Sequence, residues 1–138
     1  MSKSNQTETA ELVQFSVEKQ IDALSFNIDA IMNGANSGAA ILANTMLSLK
    51  EFEVTMKQME YAYGIMIKNI DKNIHQIKSG SAACEGISNR IDKLLDKVLS
   101  MDVSSEDENI ITVRAELLRA TNTQMDALLR IQSLIFNC

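Results

Sequence analysis

An uninterrupted heptad repeat is the feature that most constrains this chain. Alternate steps of four and three residues from Val17 to Met101 reach 25 positions, and 21 of these are apolar. The chain as a whole is 46% apolar. Apolar residues at this spacing form a stripe along a helix that is buried against other helices. We call this series the heptad seam: Val17, Ile21, Leu24, Ile28, Ile31, Ala35, Gly38, Leu42, Thr45, Leu49, Phe52, Met56, Met59, Tyr63, Met66, Ile70, Asn73, Ile77, Gly80, Cys84, Ile87, Ile91, Leu94, Val98 and Met101.

The composition supports helices and argues against strands. Proline is absent, there are 5 glycines, and aromatic residues make up 4% of the chain. Without proline, little interrupts a helix from within. Alternating β-branched runs bounded by turn dipeptides are absent. We therefore predict an all-α fold, with residues 1–138 forming one helical domain. Its architecture is expected to be a long-helix bundle or helical hairpin with coiled-coil-like packing of about four helices.

The sequence places these helices at 7–32, 39–78, 81–100 and 106–136, with residues 1–7 frayed. The glycine- and asparagine-containing segment 33–40 is typical of a turn that reverses the chain. The heptad spacing nevertheless continues through this segment without a shift, which is typical of a helical hinge. The turn dipeptides in the segment favour a reversal over a hinge, but only slightly. Segment 79–86 is a second weak point, where a continuous or kinked helix is favoured. Ser105 and Glu108 fit a capping box at the start of the last helix.

Charge and hydropathy restrict the classes of partner. The net charge is −5 and the pI is near 4.8, and no cluster of lysine and arginine offers the contacts that nucleic-acid phosphates require. No apolar stretch of about 18 residues is available to span a bilayer. The polar start shows no secretory signal, and two cysteines are too few for a disulfide framework. We expect a cytoplasmic protein, with unsignalled export through a dedicated secretion system left open.

The residues that could carry chemistry are few. His75 lies opposite the seam without a second metal ligand at helical spacing. Cys84 lies on the seam, far from that histidine, and Cys138 is the last residue. The acidic segment 102–108 suits a helix start better than a calcium loop, since it lacks the central glycine. We predict no enzymatic activity, no catalytic residues, no cofactor and no metal site.

Asn73 is the only amide at an inner seam position of the predicted long helix. A buried amide at such a position needs a partner amide and can fix the register and number of helices. Alternatively, a wide seam lets Asn73 reach solvent. The sequence leaves both interpretations open.

Apolar residues also occur outside the seam, where a simple two-helix contact does not need them. They indicate either a wide core or a second stripe that meets another molecule. The predicted inner contact is formed by Leu49, Phe52, Met56, Met59, Tyr63, Met66 and Ile70. The predicted outer contact is formed by Leu47, Val54 and Tyr61, with Phe15 and Phe26 on the first helix.

These patterns predict a non-enzymatic protein that acts by helix–helix association. Its partner is expected to be a second copy of the chain, another helical protein, or both. A structural subunit of a secretion or phage-like apparatus fits the polar start and the absence of proline. The alternative is a small acidic chaperone, immunity or inhibitor protein that sequesters a specific protein target.

Overall fold

The computed structural model contains four helices packed against each other. They are α1 (Ser2–Met32), α2 (Gly38–Ile67), α3 (Ile70–Leu99) and α4 (Glu108–Phe136). The structure describes residues 2–33, 38–101 and 108–137, and its described side chains begin at Val13 in α1 and Ala40 in α2. These ranges contain no strand. The predicted all-α bundle of about four helices is confirmed.

Side-chain pairs between helices give the direction of each helix. The Gln20 amide donates to the Thr55 hydroxyl at 2.9 Å, and the Gln14 amide donates to the Tyr63 hydroxyl, so α1 and α2 are antiparallel. Ion pairs join α1 to α3, and the residue that comes later in α1 pairs with the residue that comes later in α3. Ion pairs join α2 to α4 in the same way. Helices α1 and α3 are therefore parallel, and so are α2 and α4. The topology is therefore up-down-up-down. Helix α1 packs against α2 and α3, and α4 packs against the same two helices, which leaves α2 and α3 diagonal to one another.

The heptad seam forms the centre of the bundle. Of its 23 described positions, 20 are buried and only Ile31, Leu42 and Ile70 are partly exposed. Helix α4 completes the core with its own apolar face. Burying one large apolar side chain contributes about 1.5–3 kcal/mol to folding, so this core is the main source of stability. The α4 residues that it buries include Val113, Leu117, Ala120, Leu128 and Ile131.

The predicted long helix over 39–78 is wrong. Helix α2 ends at Ile67, Lys68 and Asn69 form a turn, and α3 starts at Ile70. Because the topology is up-down-up-down, the chain reverses at this two-residue connection. The predicted helix over 81–100 is the second half of α3, which runs unbroken through 79–86. The chain also reverses direction between the end of α1 at Met32 and the start of α2 at Gly38, which agrees with the reversal favoured for segment 33–40. Residues 34–37 of that segment lie outside the described residues.

Two other boundaries differ from the prediction. Helix α1 begins at Ser2, so residues 2–7 are helical rather than frayed. The last helix begins at Glu108, and Ser105 of the predicted capping box lies outside the described residues. Sequence patterns locate the interior of a helix better than its ends, because end residues contribute little to the apolar period.

Gly80 has a packing role within the unbroken helical segment 79–86. It is buried on the inner face of α3, and a Cβ atom placed there would overlap the ring of Tyr63. The Tyr63 side chain is fully buried and reaches from α2 to both α1 and α3. A glycine at this position allows close approach of the ring to the α3 backbone.

Candidate interaction surface

The side chains that the sequence singled out as candidates for chemistry, where the structure describes them, lie apart from one another. In the described ranges, no three histidine, cysteine, aspartate or glutamate side chains come together so that they could hold a metal ion. His75 is exposed on α3. Cys84 is fully buried, and burial raises the pKa of its thiol to about 11. A thiol in this environment is protonated at neutral pH and is a poor nucleophile.

We expect the Cys84 thiol to be inert in the folded protein. In a Cys138→Ser background, Ellman's reagent at pH 8 should detect essentially no thiol until denaturant is added, when one equivalent should appear. Because the folded pKa is raised, ionisation in the unfolded chain should also lower stability between about pH 9 and 11. A Cys84→Ala variant should lack this additional alkaline loss. Rapid labelling of the native protein would contradict the buried position.

The structure divides the twelve predicted interface residues into two groups. The inner group lies within the chain's own core, with Ile70 at its partly exposed end, so it is not available to a partner in this fold. The outer group is exposed. Its role as an interface stays a prediction. The inner residues are Leu49, Phe52, Met56, Met59, Tyr63, Met66 and Ile70, and the outer residues are Phe15, Phe26, Leu47, Val54 and Tyr61.

The outer residues of α2 form a stripe that repeats every seven residues. Leu47, Val54 and Tyr61 are 58%, 52% and 73% exposed, although all three belong to large apolar types. They extend over 14 residues of helix, which is about 21 Å at 1.5 Å per residue. We call these three residues the outer α2 stripe. A spacing of seven keeps them on one side when a helix coils gently around another.

Polar residues flank the stripe in pairs. Lys50 and Glu51 stand between its first two members, and Lys57 and Gln58 stand between its last two. All four side chains are exposed. Positions three and four residues after a stripe residue lie on opposite flanks of it. Between each two successive stripe residues, a lysine therefore lies on one flank of the stripe, and a residue that can accept a hydrogen bond from lysine, Glu51 or Gln58, lies on the other. The sequence prediction overlooked these flanking residues, although their spacing relative to the stripe was the available signal.

The exposed apolar residues of α1 form a weaker surface. Phe15 and Phe26 are eleven residues apart and lie on one side of the helix. The Lys19 ammonium lies 4.7 Å from the centre of the Phe15 ring, an arrangement that attracts a cation to the ring face. This contact partly covers Phe15. The two rings are too widely separated to make a continuous apolar patch.

A second apolar surface lies at the end of α4. An open groove of about 400 Å³ is formed there, with Ser81 of α3 on its other side. Phe136 is the most exposed of the large apolar residues described, and Leu129 is also exposed. The groove mixes apolar and polar walls, without the regular spacing of the outer α2 stripe. Its remaining residues are Gln132, Ser133 and Ile135.

Within the described ranges, no helix has both the length and the apolar character needed to cross a membrane. Comparison of the chain with family models, curated proteins and solved structures finds no match in any of the three.

Proposed function

We propose that this protein is a non-enzymatic helical subunit that associates with a second copy of itself through the outer α2 stripe. The supporting observation is the exposed heptad-spaced row of Leu47, Val54 and Tyr61 on a helix whose opposite face is fully used by the core. Apolar residues at a regular seven-residue spacing on a solvent face are a pattern that a partner helix can cover.

The flanking charges favour a parallel pair of α2 helices. In a parallel, in-register pair, one flank of the first helix faces the opposite flank of the second. Lys50 then lies beside Glu51 of the second copy, and this contact occurs twice because the pair is symmetric. Lys57 similarly lies beside Gln58. An antiparallel pair centred on Val54 would instead place Lys50 beside Lys57 of the second copy, which is repulsive.

The association is expected to be weak when it rests on this stripe alone. One pair of helices in contact over about 21 Å buries much less surface than a standard stable interface. Each copy also carries a net charge of −5, so the copies repel one another at low ionic strength. Dimers should therefore be favoured by high protein concentration and by moderate salt.

Replacing both Val54 and Tyr61 with glutamate tests the interface. We expect the double variant to remain monomeric at protein concentrations where the parent chain dimerises, because four charges would be brought together at the contact. Its circular dichroism should stay helical, since both positions are exposed. Light scattering during size-exclusion chromatography measures the mass. Leu129→Glu is the matched control: it replaces an apolar α4 residue that is 54% exposed and should leave dimerisation unchanged.

A charge exchange at the flanks tests the orientation. Lys50→Glu should weaken the dimer by placing acids together, and the combined change Lys50→Glu with Glu51→Lys should restore it in the parallel pair. If the combined variant stays helical but does not regain dimerisation, the parallel arrangement is contradicted. A parent chain that stays monomeric up to millimolar concentration would contradict self-association, and loss of helicity in the glutamate double variant would show that the stripe belongs to the core.

A further inference from the structure

The connection between α2 and α3 is unlike a normal breaking point in a helix. It consists of Lys68 and Asn69 alone, whereas five residues separate α1 from α2 and eight separate α3 from α4. Neither glycine nor proline is present in it, and both of its residues are compatible with a helix interior. The heptad seam also continues across it without a phase change, from Tyr63 and Met66 to Ile70. Local sequence therefore supports a continuous helix here as well as a turn.

The buried amide of Asn73 forms hydrogen bonds across the turn between α2 and α3. Its Nδ2 donates to the carbonyl of Met66 at 3.2 Å and to the carbonyl of Asn69 at 3.0 Å. In an uninterrupted helix these two carbonyls would instead accept the backbone N–H groups of Ile70 and Asn73. In the folded-back chain the same two carbonyls also accept the backbone N–H groups of Asn69 and Lys72, at 3.1 and 3.2 Å. The Asn73 side chain thus adds a second donor to each carbonyl at the turn. Its Oδ1 is buried and has no hydrogen-bond partner among the described residues, so a continuous helix would not lose a bond to that atom.

Among the residues that the structure describes, the ion pairs between the two halves of the bundle all have the same polarity. We call α1 with α2 the N-terminal hairpin and α3 with α4 the C-terminal hairpin. The N-terminal hairpin supplies the acids and the C-terminal hairpin supplies the bases. These contacts require only that one hairpin of each kind be present, whether or not both come from one chain. The pairs are Glu18–Arg90 at 3.9 Å, Asp22–Arg90 at 2.7 Å, Asp29–Lys97 at 2.8 Å, Glu53–Arg119 at 2.9 Å and Glu60–Arg130 at 3.1 Å.

We propose that Lys68 and Asn69 form a hinge that opens, so that two copies of the chain exchange hairpins. In the open chain, residues 38–99 form one helix of about 93 Å, and the N-terminal hairpin of each copy packs on the C-terminal hairpin of the other. The core contacts and ion pairs that join the two hairpins away from the hinge form again between the copies, and each hairpin keeps its own internal contacts. The closed and exchanged forms then differ mainly at the hinge and in the cost of association, so protein concentration selects between them.

This exchange is separate from the association proposed for the outer α2 stripe. It uses the inner faces of the helices, and it leaves the stripe exposed. Val54→Glu therefore provides a background in which dimers formed through the stripe are suppressed while exchange is unaffected. Failure of one proposal leaves the other standing.

Variants of the hinge test whether it controls the mass of the protein. In the Val54→Glu background, Asn73→Leu removes the side-chain hydrogen bonds to the carbonyls of Met66 and Asn69. Leucine is apolar and so suits a buried position of the heptad seam. After refolding at high concentration, we expect the dimer-to-monomer ratio to rise on the order of tenfold, the effect of losing about one net hydrogen bond to the closed form. Inserting Gly-Ser-Gly-Ser between Lys68 and Asn69 should give monomer only. A long flexible connection lets the two hairpins of one chain pack on each other easily, and it does not extend into a continuous helix. Light scattering with size-exclusion chromatography measures both.

Mixing charge-reversed chains identifies exchange as the cause. One Val54→Glu chain carries Asp22→Lys with Asp29→Lys, and the other carries Arg90→Glu with Lys97→Glu. All four sites are at the surface, and each chain alone has repulsive contacts between its hairpins. Only reciprocal exchange between the two chains restores attraction between positions 22 and 90 and between positions 29 and 97 in both pairs of hairpins. After co-refolding, native mass spectrometry should show the mixed dimer several-fold enriched over both homodimers.

The outcomes are distinguishable even if the charge-reversed chains fold poorly alone. Enrichment of the mixed dimer that disappears when both chains carry the hinge insertion supports exchange. No mixed dimer, or one that persists unchanged with the insertion, overturns it. Should the charge-reversed chains fail to fold either alone or together, the Asn73→Leu comparison decides. A dimer-to-monomer ratio equal to that of the Val54→Glu chain without the Asn73 change overturns the hinge.

Discussion

Met59→Asp is expected to remove most of the stability of this fold. The Met59 side chain is fully buried near the middle of α2, among apolar neighbours from the other helices. The change loses an apolar side chain, which costs about 2–5 kcal/mol, and it adds an unpaired carboxylate, which costs several kcal/mol more. Domains of this size are stable by only about 5–15 kcal/mol. Thermal unfolding followed by circular dichroism should show a midpoint lowered on the order of 15–25 °C, or no folded state at all.

Two variants separate burial from other effects at this site. Met59→Leu keeps the apolar volume and should cost less than about 1.5 kcal/mol. Gln58→Asp places a carboxylate at the adjacent, exposed position of the same helix and should change stability by no more than about 0.5 kcal/mol. A Met59→Asp protein that melts within a degree or two of Gln58→Asp would show that the heptad seam is not buried.

The heptad seam could be predicted from sequence because burial of one helix face requires apolar residues at a regular spacing. Local interactions along the helix do not change that spacing. Each position of the heptad seam from Val17 onward follows the helical repeat, and nearly all of the seam residues that the structure describes are buried. The partly exposed positions Ile31, Leu42 and Ile70 lie at or near helix ends, where a neighbouring helix does not extend far enough to cover them. The period thus predicts which residues face inward within a helix.

The same period could not reveal where the long helix folds back. Lys68 and Asn69 lack the glycine and proline signals that mark most reversals, and the phase from Met66 to Ile70 is unbroken. The reversal depends on contacts between hairpins that are distant in sequence. Asn73 was the available local signal, since a lone amide stands out in an apolar seam. Its partners are the carbonyls of the turn itself, not a second amide, so its meaning required the structure.

The outer α2 stripe was predicted as an apolar row, and the structure adds that it is exposed. Sequence alone could not decide whether Leu47, Val54 and Tyr61 face solvent, because a wider core would have the same composition. The decisive factor is the position of α2 between α1 and α4. These helices cover its inner face and its sides, and they leave the stripe uncovered.

Gly80→Ala is expected to destabilise the protein although it replaces a helical glycine. In an open helix this change would stabilise by about 1 kcal/mol. Here the added methyl group overlaps the ring of Tyr63, which is enclosed by the core and cannot withdraw freely. Overpacking of this kind costs about 1–3 kcal/mol, enough to reverse the sign. We expect a net loss of about 1–2 kcal/mol in urea unfolding, from the combination of these two effects.

Gly86→Ala provides the matched control, because Gly86 lies in the same helix and an added methyl group meets nothing within 4 Å. It should raise stability by about 0.5–1 kcal/mol. A further comparison uses Tyr63→Leu, which is destabilising in itself but removes the ring. In that background Gly80→Ala should lose its penalty, giving a coupling energy of at least about 1 kcal/mol between the two sites. If Gly80→Ala instead stabilises the parent chain as much as Gly86→Ala does, the Tyr63 ring does not pack against α3 and the proposed close approach of α2 to α3 is incorrect.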